Sequence, residues 1–109
     1  MKLGNCYDMA FEFLSQNQHW TLVHGIPTLT GGKFKGAKYG HAWSEYGDMV
    51  FDALSGKCIL ASVYYDLGKI TYTKRYSYFK AIRLREEMKH SGPWDSRIQK
   101  TLHNGEKNG

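Results

Sequence analysis

The residues with most to offer chemistry are a thiol, an imidazole and a carboxylate: Cys6, His41 and Asp52. His41 and Asp52 lie on either side of Gly47-Asp48, within the stretch Tyr39-Gly40-His41-Ala42-Trp43-Ser44-Glu45-Tyr46-Gly47-Asp48-Met49-Val50-Phe51-Asp52-Ala53. Both arms are rich in aromatic and branched residues, and Gly47-Asp48 tolerates the positive φ of a two-residue turn, so the stretch predicts a β-hairpin. In that register Tyr46 faces Met49, Trp43 faces Asp52 and Ala42 faces Ala53, and His41, Trp43, Val50 and Asp52 project from one face. His41 and Asp52 are then diagonal neighbours, on the order of 7 Å apart at Cβ and within reach of an imidazole–carboxylate hydrogen bond. A turn one residue longer or shorter would put them on opposite faces.

A histidine oriented by a carboxylate lacks only a nucleophile. Cys6 falls in the first turn of a predicted helix, where free N–H groups and the positive helix end stabilise a thiolate. Thiolate attack on an acyl carbon needs a base within about 3–4 Å of sulfur and a group that fixes the imidazole tautomer. The backbone N–H of Cys6 and its neighbours in the turn would supply part of an oxyanion hole. Trp43, on the face of His41, would shield the ion pair from water. Taken singly, each residue also has a structural reading: a core cysteine, a strand histidine, a hairpin aspartate. A Zn²⁺ site from the same three has allowed ligand types but no C-x-x-C or H-x-x-x-H element to anchor it.

A cysteine at a helix start, then His41-Ala42-Trp43-Ser44-Glu45, then Met49-Val50-Phe51-Asp52 on the next strand resembles the core of the transglutaminase-like branch of papain-like cysteine enzymes. The match covers roughly residues 4–53. The resemblance implies an α+β fold with the nucleophile helix packed on a small antiparallel sheet. It implies a Cys6 nucleophile, a His41 base and an Asp52 orienter in an acyl-transfer enzyme that uses no metal or cofactor. The family includes peptidases, amidases, deamidases and protein cross-linkers. Asn5 and Tyr7 stand where relatives often carry a tryptophan beside the nucleophile, and with Trp43 they are the candidates for oxyanion or substrate contact. The expected reaction is hydrolysis of a peptide or isopeptide bond in a peptide or protein substrate, because water suffices as the acceptor.

The elements that must position these groups follow the chain. Cys6, Ala10, Phe13 and Leu14 recur at helical spacing, which predicts a helix from Asn5, as N-cap, to about Gln18. Trp20 to Gly25 predicts a strand, in which no carboxylate lies beside His24, so that histidine belongs to the core or its rim. Ile26 to Lys38 carries Gly31, Gly32 and Gly36 with Lys33, Lys35 and Lys38: a basic loop without the Gly-Lys-Ser/Thr ending of a nucleotide site, serving as a linker or as a lid. Ser55-Gly56-Lys57 is a turn, Cys58 to Leu67 a short helix or irregular segment, and Lys69 to Thr73 a strand closed by Lys74-Arg75. Ser77 caps a helix carrying Ala81, Leu84 and Met88, which Ser91-Gly92-Pro93 stops. Trp94 packs, and Ile98 and Leu102 suit a terminal helical turn.

The bulk properties set the frame. The 109 residues suit one domain, taken as residues 1–103 with a flexible tail at 104–109. Hydrophobic content of 41% and charged content of 23% fit a folded chain and exclude a disordered one. No apolar run approaches the roughly 20 residues of a membrane helix, and the N-terminus lacks a secretory signal pattern, so a cytoplasmic protein with reduced Cys6 and Cys58 is expected and no membrane partner is. The net charge of +5 favours acidic partners. Lys74, Arg75, Lys80, Arg83 and Arg85 interleave with Tyr72, Tyr76, Tyr78 and Phe79, which makes a non-catalytic basic module binding nucleic acid or an acidic protein the competing reading.

Overall fold

The computed structural model describes residues 5–103, so the expected tail at 104–109 lies outside the described residues. Four helices and six strands follow in the order α1 (Asn5–Gln16), β1 (Thr21–Gly25), β2 (Tyr39–Tyr46), β3 (Met49–Asp52), β4 (Lys57–Leu60), α2 (Ala61–Gly68), β5 (Thr73–Tyr76), α3 (Tyr78–Met88), α4 (Ser96–Gln99) and β6 (Leu102–His103). The fold is α+β. Five strands form an antiparallel sheet in the order β4-β3-β2-β1-β5, and β6 adds a short parallel pairing to the start of β2. No helix among the described residues is long and apolar enough to cross a membrane.

The central hairpin has the register that its sequence dictates. Ser44 pairs with Phe51, Glu45 with Val50 and Tyr46 with Met49, across a turn in which Gly47 holds φ at 60°. A side chain with a Cβ adopts that φ only at a cost, so glycine at the turn fixes which residues of β2 and β3 share a face.

The sheet is covered on both sides because its strands are apolar on both. On one side Cys6, Tyr7, Ala10 and Leu14 of α1 pack with Leu22, Ala42, Tyr76 and Ala81. On the other, Val23, Trp43 and Val50 form a second cluster against Ala61, Tyr64, Tyr65 and Ile70. The helical stripe in α1 ends at Gln16, where Asn17 turns its amide back to the Phe13 carbonyl at 2.8 Å. Asn5 lies inside α1 and is not its N-cap; its side-chain amide runs along the helix to Met9 Sδ at 3.5 Å. Ser77 does cap α3, accepting from the Lys80 N–H at 3.2 Å.

Two edges differ from the sequence expectation. Lys57 to Leu60 is a strand, because the Ser55-Gly56 turn folds it back along β3 with Lys57 opposite Asp52 and Ile59 opposite Val50; the predicted helical segment begins only at Ala61. The strand expected at Lys69 to Thr73 instead runs from Thr73 to Tyr76. Tyr76 is the residue that reaches the core, opposite Leu22, and that pairing draws Lys74 and Arg75 into the strand they were expected to close. An edge strand tolerates them because half its side chains face water. Ile98 falls in the short helix α4, as the expected terminal turn, and is buried there, whereas Leu102 belongs to β6.

Candidate active site

His41 projects from β2 and Asp52 closes β3 on the same face, so the hairpin places the imidazole against the carboxylate: Nε2 lies 2.8 Å from Oδ2. Asp52 is held from its other side as well. Its Oδ1 accepts from the backbone N–H groups of Leu54 at 3.1 Å and Ser55 at 3.3 Å, and its Oδ2 also accepts from the Tyr64 hydroxyl at 2.7 Å. The Cys6 side chain, in the first turn of α1, comes close enough to His41 to add, after Asp52, to the rise in its pKa. The three residues singled out in the sequence therefore meet at one place.

Gly40 makes this meeting sterically feasible. A Cβ there would stand 2.4 Å from Tyr7 Oη and 3.1 Å from Ile98 Cγ2. Only a residue without a side chain lets the start of α1 lie so close to β2 next to His41. The glycine was visible in the sequence, but its packing partner was not.

The electrostatics follow from burial and pairing. Burial alone would lower the His41 pKa; donation to the Asp52 carboxylate, with a further contribution from Cys6, outweighs it and raises the value to about 9. Burial alone would raise the Asp52 carboxyl; the bonds from His41, Tyr64 and Ser55 outweigh it and hold Asp52 below the usual carboxylate range. At neutral pH the pair is thus an imidazolium beside a carboxylate, with the sulfur as the third member. Tyr64 is pushed well above the ordinary phenol value by burial and then by the Asp52 charge, so it remains a donor throughout the working pH range.

A second buried carboxylate on the same face shows what the first is not. Glu45, 5% exposed, accepts from the Trp43 indole at 2.9 Å and the Tyr65 hydroxyl at 2.5 Å, and Arg75 Nη2 reaches it at 2.8 Å. None of these donors gives up its proton near neutral pH. Glu45 is a structural anchor tying β2, α2 and β5 together, and it accounts for the acidic end of the His-Ala-Trp-Ser-Glu run.

The remaining candidates fall as follows. Trp43 is fully buried, its ring centroid 6.1 Å from that of His41, so it walls the imidazole from the core side. Tyr7, 1% exposed, packs edge-on to His24 at 5.0 Å, and it too lies in the core. Asn5 is partly exposed at the helix start. His24 is a core residue with no hydrogen bond to either ring nitrogen among the described residues. Cys58 is exposed on β4, and both cysteines are free thiols. Of the basic and aromatic set, Arg75 is held by Glu45 and Tyr76 is buried, while Phe79 is 78% exposed.

A cleft of about 230 Å³ opens onto the pair. His41 and Asp52 line it together with Tyr64, the apolar side chains of Pro27, Ile59, Leu67 and Ile70, the ring of Tyr39, and Lys57; Cys6, 1% exposed, does not. Tyr39 connects the two regions: its ring lies 6.2 Å from that of His41, and burial followed by the charges of Asp52 and Cys6 raises its pKa. Comparison with protein-family models, curated proteins and solved structures returns no match to this chain.

Proposed function

We propose that the chain is a thiol-dependent acyl-transfer enzyme of the transglutaminase-like, papain-like kind, acting as a small peptidase or amidase on a peptide or isopeptide bond. The single observation behind this reading is the buried His41–Asp52 pair at 2.8 Å, with the Cys6 side chain near enough to help raise the imidazole pKa. The N-terminal helix on an antiparallel sheet is compatible with the papain-like core that the sequence resembles.

In the proposed cycle Cys6 Sγ attacks the substrate carbonyl carbon, forming a C–S bond. First-turn N–H groups of α1 receive the developing oxyanion. Imidazolium His41 gives its proton to the leaving nitrogen as the C–N bond breaks, and an amine departs. Neutral His41 then takes a proton from water, whose oxygen attacks the thioester; the C–O bond forms, the C–S bond breaks and the sulfur returns to its partner. Asp52 fixes the imidazole tautomer and carries the countercharge throughout. Because Cys6 is almost wholly buried, entry of substrate requires an opening at the helix start.

Cys58 supplies an internal control. On incubation with p-nitrophenyl acetate, Cys6 becomes acetylated by a route that depends on His41, and His41→Asn slows it on the order of 10²-fold or more while the Cys58 rate is unchanged. Peptide mapping by mass spectrometry reads both sites. Equal effects of the substitution on both cysteines, or no acetylation at Cys6, would overturn the proposal. The competing basic-module reading has less support, since Arg75 and Tyr76 are occupied within the fold.

A further inference from the structure

The cleft beside His41 and Asp52 has a chemistry that the catalytic cycle does not use. It lies on the imidazole side of the sulfur, lined by the His41–Asp52 pair and not by Cys6. His41 hands its proton to the departing nitrogen, so the group carried by that nitrogen must sit beside the imidazole while the acyl carbon sits on sulfur. The walls there are Ile59, Leu67, Ile70 and Pro27. Leu67 is 64% exposed and lines the cleft, so an apolar side chain stands in solvent at its wall. Lys57 lines the same cleft, and no described ion pair engages it; Asp52, opposite it in the sheet, is held by His41.

We infer that this cleft is the amine-side subsite of the enzyme, shaped for an amine that carries a large apolar side chain and a carboxylate, such as an apolar amino acid or the apolar residue at a chain end. The inference rests on the acyl-transfer reading and adds which amines leave and which can act as acceptors. By microscopic reversibility, the site that holds the leaving amine also holds an incoming one. In aminolysis the amine nitrogen attacks the thioester carbonyl, the C–N bond forms, His41 takes the amine proton, and the C–S bond breaks to return the sulfur. Ile59 and Leu67 bury the side chain, and Lys57 meets the carboxylate.

The test uses the full chain acetylated on Cys6 by p-nitrophenyl acetate, with partition of the acetyl group between water and an added amine as readout. Leucine, leucinamide, glycine and glycinamide are compared at one pH, and the N-acetyl products are quantified. Leucine is expected to exceed glycine by about tenfold, from the added apolar contact. Per unit of unprotonated amine, leucine is expected to exceed leucinamide by roughly threefold, the scale of an exposed charge pair, while glycine and glycinamide show no such difference after the same correction. Leu67→Asp should remove the first preference and Lys57→Ala the second. Partition is a ratio within one acyl-enzyme, so the variants need not acylate at the parent rate, and a melting curve checks that each is folded. An acetylated Cys6 that partitions equally among the four amines, or whose preferences survive both substitutions, overturns the subsite and leaves the enzyme reading standing. Absence of acetyl-Cys6 altogether overturns both.

Discussion

Two histidines on neighbouring strands are buried to nearly the same degree and yet titrate in opposite directions. His24 on β1 is fully buried and His41 on β2 is 7% exposed; β1 and β2 pair so that His24 faces Ala42 and His41 faces Gly25, which sends the rings to opposite sides of the sheet. His24 is enclosed by aromatic rings, with Tyr7, Tyr76 and Trp94 at 5.0, 5.0 and 5.1 Å between centroids, and a Cβ on Gly92 would stand 2.5 Å from its Cε1. Burial drives its pKa down to about 3, against a small upward pull from Asp95. His41 suffers the same desolvation but has Asp52 as hydrogen-bond partner and Cys6 close by, and its pKa stands near 9. The same side chain is uncharged filler in one place and a paired imidazolium in the other, and the partner decides which.

The comparison is sharpest in activity. Asp52→Asn is expected to reduce Cys6-dependent acyl transfer by roughly 10³-fold to 10⁴-fold, because the amide neither carries the countercharge nor holds the correct tautomer. His24→Phe, which keeps an aromatic ring in the same cage, should leave Cys6 acetylation within about twofold of the parent. In NMR titrations Asp52→Asn should move the His41 midpoint downward. A large activity loss in the His24 variant, with its fold intact, would break the assignment.

The pH dependence of stability gives the next test, with opposite signs for the two rings. His41 is raised in the fold, so its contribution is fully present below the unfolded value near 6.5 and is lost as pH climbs from there through about 9. His24 is lowered, so stability is lost as pH falls from about 6.5 towards 3, where the unfolded chain takes up a proton that the fold refuses. Each limb has a slope approaching about 1.4 kcal/mol per pH unit. Urea titrations across this range should show His24→Phe flattening the acid limb and His41→Asn the alkaline one.

Tyr7 links the two environments, touching His24 while its hydroxyl lies against Gly40 beside His41. Gly40→Ala should therefore cost about 1–3 kcal/mol of unfolding free energy by overpacking, and slow Cys6 chemistry as the start of α1 is displaced. Full stability and full reactivity in that variant would mean that α1 does not need this close approach.

The smallest expected effect concerns the two tyrosines of α2. Tyr64→Phe keeps the ring beside Trp43, at 5.2 Å, but removes the donor to Asp52. Asp52 then holds the His41 proton more firmly, so the His41 midpoint should rise slightly and turnover fall a few-fold. Tyr65→Phe removes the corresponding bond to Glu45 and should cost about 1 kcal/mol of stability without moving that midpoint. Equal shifts of the midpoint in both variants would show that α2 acts only as packing.

What the sequence determined by itself was local. Period-two alternation around Gly47-Asp48 put His41 and Asp52 on one face, and the apolar stripe of α1 and the Ser77 cap marked two helices, since turn geometry, periodicity and capping act over a few residues. It could also be seen that His24 had no carboxylate from its own strand. Tertiary packing decided the rest: that Cys6 reaches His41 past Gly40, that Tyr64 and Tyr65 fall on two different acids, that Arg75 crosses to Glu45, and that aromatic rings close around His24. These contacts join residues far apart in the chain. No local preference selects them, and each forms only when the two faces of the sheet are buried against the helices that cover them.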